Sequence, residues 1–166
     1  MKEVILVVHN VRSAHNVGSL LRTADGLGIK EVILSGYTPY PYKLNDERLP
    51  HLAKRTDAQI QKTALGAEKS IKWRQDNQIS SVLDELKAGG YFLLALEQTA
   101  GSKPLDKFKT RDKIALILGS EVGGIDSQIL KRCDGIAEIS MRGRKESFNV
   151  AAAAAMALYH LTFLDK

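Results

Sequence analysis

Short apolar runs that do not alternate with polar residues restrict the fold of this chain more than any other feature. Val4–Val8 is uninterrupted; Val32–Leu34, Tyr91–Leu96 and Ile114–Leu118 repeat the pattern, and Ile136–Ile139 is a weaker fifth run. A strand solvated on one face alternates, whereas one covered on both faces does not, so these runs read as buried parallel strands. Between them the spacing turns helical. Leu20, Leu21, Ala24 and Leu27 fall on one face, with Gly28 as the stop. Ser81–Lys87 predicts a helix ending at Gly89-Gly90, and Ser127–Arg132 a short one; a loop with Gly101 and Pro104 separates the third and fourth runs. The last helix is expected from near Glu146 to about Phe163, centred on Ala151–Ala155. Strands alternating with helices predict an α/β fold, a parallel sheet with helices on both faces. No repeat or linker divides residues 1–166, which are expected to form a single domain.

Composition narrows the setting. The chain is 44% hydrophobic and 26% charged over 166 residues, enough to bury about two thirds of its unfolded surface. Cys133 is the lone cysteine, which excludes an internal disulfide framework or a cysteine-based metal cluster and suits a reducing compartment. The opening apolar run is too short for a signal segment, and no run approaches the roughly 20 residues a bilayer requires, so a cytoplasmic location is expected. The net charge of +5 is unevenly spread: between Lys43 and Arg74 stand eight Lys or Arg against four acids, and Arg142, Arg144 and Lys145 form a second basic cluster. Localised positive charge fits a polyanion such as nucleic acid, and equally a merely solvated face.

In open parallel sheets ligands bind beyond the C-terminal ends of the strands. The informative segments follow the strands: His9-Asn10 and Asn16–Ala24 after the first, Gly119–Gly124 after the fourth, Ser140–Asn149 after the fifth. Each has an ordinary explanation. Gly119–Gly124 suits a tight turn, Asn16 and Ser147 suit helix caps, and Arg22 suits a surface arginine. Neither the dinucleotide fingerprint nor the phosphate-binding P-loop is present. The alternative for the glycine segment is a place where missing side chains let an adenosine ligand lie against the backbone.

The combination of segments, in this order, resembles a known family. Asn16–Arg22, Gly119–Gly124 and Ser147-Phe148-Asn149-Val150-Ala151 resemble the three motifs of the SpoU/TrmH RNA ribose methyltransferases of the SPOUT class, and Ala64–Glu68 resembles an element of the family's middle. The family usually has proline where Ser140 stands and leucine where Phe148 stands. The resemblance implies a C-terminal segment threaded into a deep trefoil knot, against the general rule for protein topology. It also implies a homodimer built on the first and last helices, a role the stripe Met156, Tyr159 and Phe163 suits as well as it suits an ordinary core. S-adenosyl-L-methionine is expected in the knot near Leu96, Gly119, Ile139, Met141 and Ser147, with no metal. The implied catalytic set is Arg22, Glu121, Ser147, Asn149 and Asn16. Arg22 would bind the RNA phosphate and the developing oxyanion, because a guanidinium is a poor base. Glu121 would orient Arg22 or Asn149, Asn149 and Ser147 would position ribose and cofactor, and Asn16 would shape the first loop. Arg22, Arg142, Arg144 and Lys145 would contact RNA, with tRNA first and rRNA second, without an added RNA-binding domain. The rival readings are an RNA-binding protein of this fold without catalysis, and a nucleotide-binding phosphotransferase.

Overall fold

The computed structural model describes residues 2–109 and 111–164. Its elements run in the order β1 (Glu3–His9), α1 (Ala14–Gly26), β2 (Glu31–Ser35), α2 (Pro50–Ala64), α3 (Ala67–Ser70), β3 (Trp73–Asp76), α4 (Ile79–Ala88), β4 (Phe92–Leu96), β5 (Lys103–Pro104), β6 (Lys113–Leu118), α5 (Ser127–Leu130), β7 (Gly135–Glu138) and α6 (Val150–Tyr159). A short 3-10 turn spans Leu105–Lys107, and His160–Leu164 prolongs α6 with the wider π-type spacing. The strands form one sheet in the order β3-β2-β1-β6-β4-β7-β5. Every pairing is parallel. The apolar runs thus carry the sheet, and the β-α alternation holds except between β4 and β6, which are joined through β5 and the 3-10 turn.

Burial explains the runs. Leu6, Val8, Val32, Leu34, Ile114, Leu116 and Leu118 face one layer with α1 and α6, whereas Ile5, Val7, Ile33, Leu93, Ala115 and Ile117 face the other with α4 and α5. Successive side chains of each strand therefore enter two different cores, which is why no polar alternation appears. At about 25 cal/mol per Å² of apolar surface, each of these Leu and Ile side chains contributes about 1.5–3 kcal/mol.

α1 starts at Ser13, whose hydroxyl accepts from the Asn16 N–H (3.2 Å), and ends where Gly28 takes a φ of +67°. It packs against α2 at Gly18. A Cβ there would lie 2.3 Å from the Ile60 carbonyl oxygen and 2.9 Å from the Ala64 nitrogen, so the glycine of the Asn16–Arg22 segment sets the approach of the two helices. α2 itself, 15 residues long, was not foreseen in the sequence. The last helix begins at Val150 rather than near Glu146, because Asn149 is its cap: the Asn149 side chain accepts from the Ala151 N–H (2.9 Å). Glu146–Phe148 remain in the preceding loop. Along α6, Ala154, Ala157, Leu158 and Leu161 are buried, whereas Met156, Tyr159 and Phe163 are 39%, 49% and 50% exposed. The aromatic stripe is therefore not core within one chain.

Candidate functional site

Beyond the C-terminal ends of β4, β6 and β7 lies a cleft of about 450 Å³. Its walls are Leu96, Leu118, Ile139, Val150 and Ala153, and its rim carries Glu97, Glu121 and Glu138 with Ser147, Phe148 and Asn149. A cleft of this size suits a small ligand. Its three carboxylates, with no Lys or Arg among the lining residues, favour a cation.

The loop after β6 is folded onto itself. The Ser120 N–H donates to the Gly124 carbonyl and the Gly124 N–H to the Ser120 carbonyl, both at 3.0 Å, and the Gly123 N–H donates to the Ser120 hydroxyl (2.9 Å). Gly119 is required by this closure. A Cβ on it would stand 2.3 Å from the carbonyl carbon and oxygen of Gly124 and 2.6 Å from the Ile125 nitrogen. The glycine thus makes room for the loop's own backbone. Gly124, at φ +63°, lies under the Glu97 carboxylate, which accepts from the Ile125 N–H (2.8 Å) and the Gln98 N–H (2.9 Å). Glu97 ties the end of β4 to the loop after β6.

Glu121 reaches out of the same loop to the start of α1. Its carboxylate accepts from the backbone N–H groups of Arg12 (3.0 Å) and Ser13 (3.2 Å) and from the Asn16 side-chain amide (3.0 Å). The Asn149 amide in turn donates to the Asn16 carbonyl oxygen (3.2 Å). The direction of this chain is fixed at both ends. Asn149 must accept from Ala151 and so presents its NH2 group, and Glu121 can only accept while ionised. Partial burial by itself would raise the Glu121 carboxyl, but the hydrogen bonds from Arg12, its own backbone, Asn16 and Ser13 outweigh it and hold the group below the usual carboxylate range.

Among the expected site residues, Leu96, Gly119, Ile139, Ser147, Glu121 and Asn149 line the cleft, and Asn16 is bonded to two of them. Met141, half-buried, does not line it. Neither Asn16 nor Ser147 serves as a helix cap. Among the described residues of one chain no hydrogen bond or ion pair joins Glu121 to Arg22, and Glu121 reaches Asn149 through Asn16. Arg22 is exposed on α1, outside the lining, with no hydrogen bond or ion pair among the described residues. The same holds for Arg142, Arg144 and Lys145. In the basic stretch Arg48, Lys72 and Arg74 are paired with Asp46, Glu31 and Glu85 among others, leaving Lys54, Arg55 and Lys62 of α2 exposed. Glu97 and Glu138 were missed from the sequence, although each stands at the end of a strand beside a residue already singled out. No group of three or more metal-ligating side chains is found among the described residues, nor a helix long and apolar enough to cross a membrane.

A parallel α/β sheet with a carboxylate-rimmed, apolar-walled cleft beyond its strand ends, closed by a glycine loop and an amide chain, defines a domain whose cleft suits a small cationic organic ligand. The profile of the SpoU rRNA Methylase family matches residues 3–159, and the chain belongs to that family. It is 30% identical over 157 residues to 23S rRNA (guanosine(2553)-2'-O)-methyltransferase RlmP of Bacillus subtilis, covering 95% of this chain and 57% of the relative. It is 28% identical over 163 residues to the 23S rRNA (guanosine-2'-O-)-methyltransferase RlmB of Coxiella burnetii, with the same coverage. The chain thus spans just over half the length of the curated relatives it matches. Among solved structures, an AdoMet-bound rRNA methyltransferase from Sinorhizobium meliloti superposes with a TM-score of 0.79 at 22% identity, over 96% of this chain and 55% of the other. A chain described under the 2-OH methylation of C/U34 on tRNA superposes with a TM-score of 0.75 at 22% identity, over 96% of this chain and 94% of the other.

Proposed function

We propose that this chain is a cytoplasmic RNA methyltransferase that transfers the methyl group of S-adenosyl-L-methionine to a ribose 2'-hydroxyl. The observation that carries the reading is the convergence of Asn16 with Glu121 and Asn149, which lie 105 and 133 positions further along the sequence, in one hydrogen-bonded chain at the mouth of the cleft. The donor set fits the cofactor: Leu96, Leu118 and Ile139 offer apolar walls to an adenine, and Glu97, Glu121 and Glu138 offer negative charge to a sulfonium and an ammonium. When bound, S-adenosylmethionine supplies a methyl already activated for in-line transfer. What remains for the protein is to place the nucleophilic oxygen and to manage its proton. In this reading Asn149 and Ser147 at the rim position the ribose. Arg22, permanently charged, holds the adjacent phosphate and stabilises the oxygen as it loses its proton to the phosphate or to solvent.

Arg22 stands outside the cleft of its own chain, so we assign it to the cleft of a second copy. The homodimer would form on α1 and α6, whose exposed Met156, Tyr159 and Phe163 are the face available for it. The knot implied by the family resemblance, formed by the segment between β7 and α6, belongs to the same proposal, as does the action of residues 1–166 as one methyltransferase domain. Transfer RNA is the proposed substrate, supported by the likeness over 94% of the chain described for tRNA methylation. The names of the relatives favour 23S rRNA as the second reading.

Incorporation of labelled methyl groups into purified tRNA and rRNA tests the reaction and separates the two substrates. Arg22→Ala and Asn149→Ala should each abolish transfer. In a two-fold dimer with shared sites, an equal mixture of the two variants should recover about one quarter of wild-type activity. No recovery would place Arg22 in its own chain's site, and full turnover by folded Arg22→Ala would remove it from the reaction.

A further inference from the structure

The loop between β2 and α2, residues 36–49, is braced along its length by hydrogen bonds and a cation–π contact. Arg48 is its keystone. The guanidinium lies 3.6 Å from the centre of the Tyr40 ring, donates to the Tyr40 carbonyl (3.0 Å) and the Pro41 carbonyl (3.3 Å), and pairs with Asp46 through both Nε (2.9 Å) and Nη2 (2.6 Å). Asp46 also accepts from the Arg48 N–H (3.1 Å), and the Tyr42 N–H donates to Asp57 on α2 (2.8 Å). At the other end, buried Thr38 accepts from the Val11 N–H (3.2 Å) and donates to the Ser35 carbonyl (2.7 Å). The Tyr37 N–H donates to the Asn10 side chain (3.1 Å). Gly36, at φ +65°, is packed so closely on Asn10 that a Cβ would meet its Oδ1 at 2.0 Å.

With all this bracing the loop still leaves two phenol rings in solvent: Tyr37 is 56% and Tyr42 54% exposed. Neither ring makes a hydrogen bond or ring contact among the described residues. They are also well placed. Asn10, which holds Tyr37, stands two residues before Arg12, whose N–H is bound by Glu121 at the cleft mouth. On the side of Tyr42, α2 carries exposed Lys54 and Arg55, which form no ion pair among the described residues.

We propose that this braced loop is a stacking platform for unpaired RNA bases, with Tyr37 and Tyr42 each taking the face of a base near the methylated nucleotide and Lys54 and Arg55 attracting the backbone. It rests on the reading of RNA as substrate and adds a specificity to it. Bases inside a helix are already stacked on one another, so exposed aromatic rings select single-stranded or looped RNA over duplex. Bracing the backbone that carries the rings reduces the ordering entropy lost on binding.

The test is fluorescence anisotropy with a labelled mixed-sequence RNA of about 12 nucleotides, single-stranded and annealed to its complement. Wild type should prefer the single strand. Tyr37→Ala and Tyr42→Ala should each weaken single-strand binding about fivefold or more, leaving duplex binding and the salt slope as they were, while Tyr37→Phe and Tyr42→Phe keep wild-type affinity. Calorimetric titration with S-adenosylmethionine checks that the alanine variants remain folded and should give an unchanged affinity. Alanine variants that bind single strands as tightly as wild type overturn the platform, as does equal loss on single strand and duplex, or loss with phenylalanine as large as with alanine. Because no step needs methyl transfer, tyrosine-dependent binding by a protein that fails to methylate would refute the proposed reaction and uphold the platform.

Discussion

Replacing Gly119 with alanine separates two roles that a glycine in a cofactor loop can have. If the missing side chain only makes room for ligand, the variant loses affinity and keeps its stability. The geometry predicts the opposite order. The added Cβ would stand 2.3 Å from the carbonyl carbon and oxygen of Gly124 and 2.6 Å from the Ile125 nitrogen, about 1 Å inside ordinary contact. All of these are backbone atoms, so no side chain can swing away. The loop must open, at the expense of the paired bonds between Ser120 and Gly124, worth about 1 kcal/mol each, with the strain of overpacking at about 1–3 kcal/mol. Allowing for partial relaxation, Gly119→Ala should lose about 2–4 kcal/mol. For a domain of this size that lowers Tm by about 5–15 °C. Differential scanning calorimetry without ligand measures it, and titration with S-adenosylmethionine should then show weakened binding because the loop lines the cleft. An unliganded Tm within about 1 °C of wild type would refute the account of the loop.

Glu121→Gln replaces an acceptor with a group that can accept at only one atom, so the start of α1 loses hydrogen bonds and the variant should be about 1 kcal/mol less stable near neutral pH, a figure kept small by solvent exposure. Because the folded protein holds this carboxyl below its usual range, its contribution is fully present above the unfolded value and is lost as pH falls through the folded one. The Tm gap between wild type and variant should therefore shrink from about pH 7 to about pH 3, and a constant gap would mean that the charge of Glu121 plays no part. Arg142→Gln with Arg144→Gln should weaken binding of single-stranded RNA and reduce the salt slope by about 1.4, with S-adenosylmethionine affinity unchanged; a retained slope would exclude these arginines from the RNA path.

The parts of the molecule that could be read in the sequence are those whose physics is local and repetitive. Strands covered on both faces must be apolar throughout, and β1, β2, β4 and β6 were visible for that reason. α2 was not. Its buried residues are Ala53, Ile60 and Ala64, a stripe of small and widely spaced side chains among lysines and glutamines, and its packing rests on the absence of a side chain at Gly18 in another helix. Of the site, the motif residues were legible by resemblance. Their partners were not, since the bonds from Glu121 to Arg12 and Ser13 use backbone groups that leave no trace in residue identity. Glu97 escaped because its task, bracing Ile125, belongs to a contact 28 positions away.

The position of β6 between β1 and β4 has a consequence for how the protein is made. Val4 and Ile114 are register partners, so a nascent chain emerging from the ribosome carries β1 for about 110 positions before the strand that completes it exists. During that interval β1 has an unpaired backbone edge on its β6 side, joined by that of β4 once residues 92–96 are made, and such edges recruit neighbouring chains. Chaperone capture during synthesis should therefore be most frequent before β6 emerges, and Asn149, which completes the amide chain, is made only after β7. No copy synthesised short of Ala153 holds all the residues that line the cleft.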